Sequence, residues 1–248
     1  MGKIIAVVSG KGGTGKTSFT ANVGLALAAL GYRTLCLDCD ITLRNLDLAL
    51  GMSDKALMDF SDVIEGRCTL TEAAVSHPNY PTLHLLSAPV CSGDMDISPE
   101  QMRRLLQEIR ENFDYCLIDA PAGLGQGFRL ATDYADNVVV ITTTDAIALR
   151  DAQRTVTELS HFPTGRIHLV VNRVQKKMLK AMHATIDDAI DKAGLPLIGV
   201  VPEDDALLLS LNRGVPLLLA DSQSAAAAAY RNIAKRIRGE KAPLLRIK

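Results

Sequence analysis

The chain has 248 residues, 48% of them hydrophobic, which is ample for a buried core. Its 27 lysines and arginines stand against 28 aspartates and glutamates, so no chain-wide basic excess points to nucleic acid or an anionic surface. No apolar run reaches the roughly 18 residues needed to span a bilayer, the cysteines Cys36, Cys39, Cys68, Cys91 and Cys116 are odd in number, and no charged-then-apolar leader opens the chain, so a reduced, cytosolic protein is expected.

KIIAVV, residues 3–8, is the first of seven short apolar runs; the others are 34–38, 83–87, 115–119, 137–142, 167–172 and 197–201. Continuous apolar, β-branched runs suit strands covered on both faces, as in a parallel sheet. The longer segments between them carry helix signals. Ser98, Pro99 and Gln101 make a capping-box start for a helix ending near Asn112, and Gly31 and Gly194 stand where helix-terminating glycines belong. The alanine run at 225–229 predicts a closely packed final helix. Strands alternating with helices predict one doubly wound α/β domain over residues 1–248, a mostly parallel sheet flanked by helices, with 239–248 as a short tail.

The turn after the first strand reads Gly10-Lys11-Gly12-Gly13-Thr14-Gly15-Lys16-Thr17-Ser18. It fits the phosphate-loop pattern GxxxxGK[ST] in the strand-loop-helix setting the pattern needs. Glycines open the backbone N–H groups to phosphate oxygens, and the following helix adds its unpaired amides and positive end. Lys16 supplies charge to the β- and γ-phosphates, and the Thr17 hydroxyl suits Mg²⁺. Nothing in that chemistry calls for Lys11.

KGGTGKT, residues 11–17, resembles the deviant Walker A sequence of the ParA/MinD family of P-loop ATPases. The resemblance implies that Lys11 reaches across an ATP-dependent homodimer to phosphates held by the other subunit, where a preplaced cation stabilises developing negative charge. The second strand ends in Asp38 and Asp40, on one side of an extended chain by the period-two rule. The following LRNLD, 43–47, resembles switch I of the MinD branch, which implies that Asp40 activates the attacking water, Asp38 assists at Mg²⁺ and Asn45 touches nucleotide or partner. YCLIDAPAG, 115–123, is an apolar strand ending in Asp119, fitting a Walker B carboxylate that holds Mg²⁺ through water. Its APAG resembles switch II, with the Gly123 amide available to the γ-phosphate. Asn172, with Arg173 beside it, and Pro202 end two later strands, and by resemblance read adenine; an amide both donates and accepts, as an adenine edge requires.

The CxxC of Cys36 and Cys39 lies along a predicted strand rather than opening a helix, so a structural role is expected. The segment 147–159 resembles the family's helix for activator and inhibitor proteins: Arg150, Asp151 and Arg154 match, while Gln153 replaces an acidic residue. A solvated charged face is the alternative. The tail, with Leu244, Leu245, Arg246, Ile247 and Lys248 after Gly239 and Pro243, has no room for an amphipathic helix, so weak or transient membrane contact at most is expected. Taken together, the resemblance implies an Mg²⁺-dependent ATP hydrolase, cytoplasmic or peripheral at the inner face of the membrane, that dimerises on ATP and acts in division-site placement with a MinE- or MinC-like partner. The alternatives are a ParA-type partition ATPase, with Arg166, Arg173, Lys176, Lys177 and Lys180 as a DNA face, and a positioning ATPase for flagella or other surface machinery. Nucleic acid is the less expected partner.

Overall fold

Apolar side chains alternating across two covered faces turn these runs into strands. The computed structural model describes residues 1–53, 55–89, 97–163 and 165–245; Cys91 and the tail residues Arg246, Ile247 and Lys248 lie outside the described residues. The strands are β1 (Lys3–Val8), β2 (Thr34–Asp38), β3 (Val75–His77), β4 (Tyr80–Leu86), β5 (Tyr115–Asp119), β6 (Asn137–Thr142), β7 (Ile167–Val174) and β8 (Leu197–Pro202). They form one sheet in the order β3-β4-β2-β5-β1-β6-β7-β8. Every pair is parallel except β3 with β4. Three residues, two of them polar, are too few to show a period, which is why β3 escapes a reading by pattern.

The helices are α1 (Lys16–Ala29), α2 (Leu46–Leu50), α3 (Phe60–Ile64), α4 (Leu70–Ala73), α5 (Pro99–Asn112) and α6 (Gln126–Thr132). After β6 come α7 (Ala146–Glu158), α8 (Lys176–Ala181), α9 (Ile186–Ala193), α10 (Asp205–Asn212), α11 (Leu217–Ala220) and α12 (Ala225–Ile237). The expected capping box opens α5: the Ser98 hydroxyl accepts from the Gln101 amide at 3.2 Å, and the Gln101 side chain accepts from the Ser98 amide at 2.8 Å. Gly194 ends α9 at φ 65, the left-handed turn that terminates helices.

Along β1, Ile4, Ala6 and Val8 face the layer containing α5, α6, α7 and α9, while Ile5 and Val7 face α1 and α12. Helix α1 is enclosed by the sheet, α2 and α12, so it is buried nearly all round. The small side chains Ala226, Ala227 and Ala229 let α12 approach closely, and Tyr230 meets Phe19 of α1 edge to face with ring centroids 6.2 Å apart. Strand β1 has β5 and then β2 on one side and β6 on the other. The crevice at its carboxyl end is where such sheets bind ligands.

Candidate nucleotide site

The phosphate loop fills that crevice between β1 and α1. Gly15 caps α1 at φ 94, and a β-carbon there would lie 2.3 Å from Asn172 Nδ2. Gly10 is equally confined: its β-carbon would lie 2.6 Å from the carbonyl oxygen of Asp151, so α7 packs directly on the loop. Lys16, at the first turn of α1, is 8% exposed and donates from Nζ to Ser9 Oγ at 2.9 Å. Ser9 passes its own hydroxyl hydrogen to the Lys11 carbonyl at 2.7 Å. Burial lowers the Lys16 pKa, while the carboxylates of Asp119 and Asp40 pull it back up.

Asp119 ends β5 in register with Asp38 at the end of β2. Burial pushes Asp119 to about 6, against the hydroxyls of Thr17 and Thr20 and the charge of Lys16. Asp38 is pushed to about 7 by burial and by Asp119, although the amides of Asp40 and Leu46 donate to it at 2.9 and 3.3 Å. Asp40 stands beyond the strand end, where Oδ1 accepts from the amides of Thr42 and Leu43 at 3.2 and 3.1 Å. The two aspartates therefore part company: Asp40 lines the cavity, whereas Asp38 does not and instead ties the segment at Leu46 to the strand end.

The cavity measures about 390 Å³, in the range of small-molecule sites. Gly12, Gly13, Gly15, Lys16, Thr17 and Ser18 line its phosphate end, with Asp119, Asn45 and Ala122 nearby. Gly123 follows at φ 92. Asn172, Arg173, Pro202 and Glu203 line the other end, with Leu207 and Leu208. Asn172 Nδ2 donates to the Thr14 carbonyl at 2.7 Å, which leaves Oδ1 buried without a partner among the described residues. An orphaned acceptor opposite a glycine-and-lysine cradle fits a 6-aminopurine nucleotide, since guanine would present a second acceptor. Thr17 with the two carboxylates is an all-oxygen set, which suits a hard divalent cation that keeps most of its shell as water and phosphate.

Lys11 lies elsewhere. Its Nζ is 3.1 and 3.4 Å from the two oxygens of Asp145, on its own chain. Asp145 caps α7 by accepting from the Ala148 amide at 3.0 Å and takes the Thr143 hydroxyl at 2.5 Å. Burial would raise the Asp145 pKa, yet Thr143, Ala148 and Lys11 together hold it at about 2. On α7 itself Arg150 and Arg154 are exposed beside Ile147, which is 69% exposed, whereas Asp151 is turned toward Gly10. The CxxC thiols lie in separate clusters, Cys36 with α1 and Cys39 with the α5 layer, so they do not form a dithiol.

Ser9, Asp145 and Glu203 are among the site residues that motif reading missed, as are the cavity-lining Leu207 and Leu208. Ser9 directly precedes the loop, and Asp145 is legible as a helix cap, but its contact with Lys11 spans 134 residues.

The family model ParA, described as NUBPL iron-transfer P-loop NTPase, matches residues 1–238. The chain belongs to the ParA/MinD family of P-loop ATPases. The septum site-determining protein MinD of Synechocystis is 39% identical over 246 residues, covering 99% of this chain and 92% of that protein. Among solved structures, the MinC:MinD cell division protein complex of Aquifex aeolicus matches with a TM-score of 0.90 at 36% identity over 99% of each chain. MinD complexed with Mg-ADP from Pyrococcus horikoshii matches with a TM-score of 0.82 at 28% identity over 96% of each chain. The doubly wound fold and the ATP hydrolase activity implied by the loop are thus those of this family, and the chain is MinD-like, of the kind that acts in division-site placement. Among the described residues no helix is long and apolar enough to cross a membrane.

Proposed function

We propose that the chain is an ATP-driven switch that forms a face-to-face homodimer in division-site placement. The division of labour between its loop lysines carries the reading. Lys16 is buried facing Asp40 and Asp119, while Lys11 points away onto Asp145, available to leave for a partner's phosphates. Gly10 to Ser18 hold the phosphates, Asp40 orients the attacking water, and Asn172, flanked by Arg173 and Pro202, selects adenine. The Gly123 amide and Asn45 complete the γ-phosphate end. Thr17 and Asp119, with Asp38 behind, would hold Mg²⁺, which when bound neutralises charge on the phosphate oxygens. Only contacts to the γ-phosphate distinguish ATP from ADP, so hydrolysis resets the dimer.

The Aquifex relative is seen with MinC. For this chain Ile147, Arg150 and Arg154, three and four residues apart on α7, offer an apolar and basic face for such an activator or inhibitor. Docking there would load a helix whose Asp145 and Asp151 touch Lys11 and Gly10. The protein would work in the cytoplasm with brief contact at the inner membrane face.

Lys16→Ala should abolish ATP binding. Asp40→Ala should bind Mg²⁺-ATP, stop turnover, and sediment as a dimer with ATP but as a monomer with ADP; full turnover in that variant, or a nucleotide-blind oligomer, would overturn the switch. Pelleting of the ATP dimer with anionic liposomes would place its output at a membrane. A DNA-partition role would draw on Lys176, Lys177 and Lys180 of α8, a helix with no buried residue; of the two arginines expected with them, Arg173 is paired with Glu203, and Arg166 precedes the opposite, amino end of β7.

A further inference from the structure

The pairing of β7 with β8 shifts register between Val171 and Val174, so Asn172 and Arg173 occupy an irregularity at the tip of β7. Arg173 takes φ 55 there, a left-handed conformation uncommon for a residue with a side chain. Such strain persists only where the surroundings hold it, and it gathers at ligand clamps and switches. Here the surroundings are specific. Arg173 Nε and Nη2 donate to Glu203 Oε2 and Oε1 at 2.9 and 3.1 Å, a two-pronged grip, while Nη1 donates to the Gly13 carbonyl at 3.4 Å. One guanidinium thereby joins the tips of β7 and β8 to the phosphate loop. Next to it in the chain is Asn172, 2% exposed, which also lines the cavity and whose Oδ1 is buried with no partner among the described residues.

We propose that the Arg173–Glu203 pair is a strap across the base end of the cavity, one that must open for a nucleotide to enter or leave, so that Glu203 governs nucleotide exchange. The inference rests on the nucleotide reading of the cavity and adds to it a residue and a rate. Both partners line the cavity, and their side chains are 53% and 31% exposed. A bidentate pair in that setting is strong enough to be formed most of the time and weak enough to open thermally. For a switch ATPase the consequence is that ADP release, which resets the cycle, waits on an ion pair and not only on the phosphate grip.

A gate and a binding contact leave different kinetic signatures. A gate slows entry and exit alike, whereas a contact to the ligand slows exit alone. The experiment is stopped-flow mixing of the full chain with N-methylanthraniloyl-ADP, comparing Glu203→Gln and Arg173→Lys with the parent. Association and dissociation should both quicken about fivefold in Glu203→Gln, with Kd within about twofold, and the advantage over the parent should shrink as salt rises. Arg173→Lys, which keeps the charge and loses the fork, should move both rates in the same direction. Unchanged rates in Glu203→Gln, or a faster dissociation with Kd rising in proportion, would overturn the strap. Equal melting temperatures of parent and variants guard against a folding defect. A parent that fails to bind the labelled ADP at all would instead sink the nucleotide reading itself.

Discussion

Gly15→Ala probes how the phosphate loop is held. Alanine at φ 94 must occupy left-handed space, which costs about 1–2 kcal/mol. Its β-carbon would also stand 2.3 Å from Asn172 Nδ2, so Asn172 must move and lose its 2.7 Å bond to the Thr14 carbonyl. Losing a buried hydrogen bond of this kind costs about 1 kcal/mol or more, because the carbonyl is left unpaired. The sum is about 2–4 kcal/mol. Gly13→Ala separates the two contributions: φ is 76, yet among the described residues nothing lies within 4 Å of the added carbon, so only the backbone strain of about 1–2 kcal/mol applies. Urea denaturation of the nucleotide-free proteins measures both. Gly15→Ala should be the less stable by about 1–2 kcal/mol, and it should also lose ATP binding. Combining it with Asn172→Ala removes the clashing atoms, so the double variant should be more stable than additivity predicts, by about 1 kcal/mol. Equal costs at Gly13 and Gly15, or strict additivity with Asn172→Ala, would refute the claim that Asn172 abuts the loop.

Asp145→Asn keeps the α7 cap but removes the charge that holds Lys11. Stability should fall by less than about 1 kcal/mol, and ATP-dependent dimerisation in an Asp40→Ala background should tighten about three- to tenfold, because two freed lysines each save part of an exposed ion pair. Sedimentation equilibrium reads this, and a weaker dimer would show that Asp145 is needed after Lys11 has moved. Asp38 and Asp119, raised to about 7 and about 6 from 3.8, bind protons more tightly when folded. Their contribution to stability is therefore full below about pH 4 and is lost as pH rises through about 6 to 7. Nucleotide-free protein should accordingly be more resistant to urea at pH 5 than at pH 8, by a few kcal/mol at most, and Asp38→Asn should flatten that slope. GTP should compete with ATP about a hundredfold less well, with the gap closing in Asn172→Ala; equal competition by GTP in the parent would show that Asn172 Oδ1 does not face the base.

Sequence reading placed β1, β2, β5 and β6 at their observed bounds, because each is a continuous apolar run bounded by polar or turn residues. It began β4 three residues late and ended β7 two residues early, where Pro81 and Thr82 or Arg173 break the apolar run. The phosphate loop was legible for a stronger reason. Its function depends on consecutive residues, glycines for space and Lys16 and Thr17 for charge and hydroxyl, so local sequence carries it whole.

Asp38 and Asp40 show where that reasoning runs out. The period-two rule puts both on one side, but the strand ends at Asp38, and the turn that follows separates a buried support from a cavity-lining carboxylate. The amino-acid sequence by itself determined the alternation of strands and helices, the phosphate cradle and the carboxylates at strand ends, since all are short-range patterns. Only the tertiary structure decided that Lys11 rests on Asp145, that Asn172 spends its amide on the Thr14 carbonyl, and that Arg173 grips Glu203 at the cavity. Those contacts join residues 30 to 158 positions apart. They arise where the parallel sheet gathers the carboxyl ends of distant strands at one edge, and no local pattern encodes which side chains will meet there.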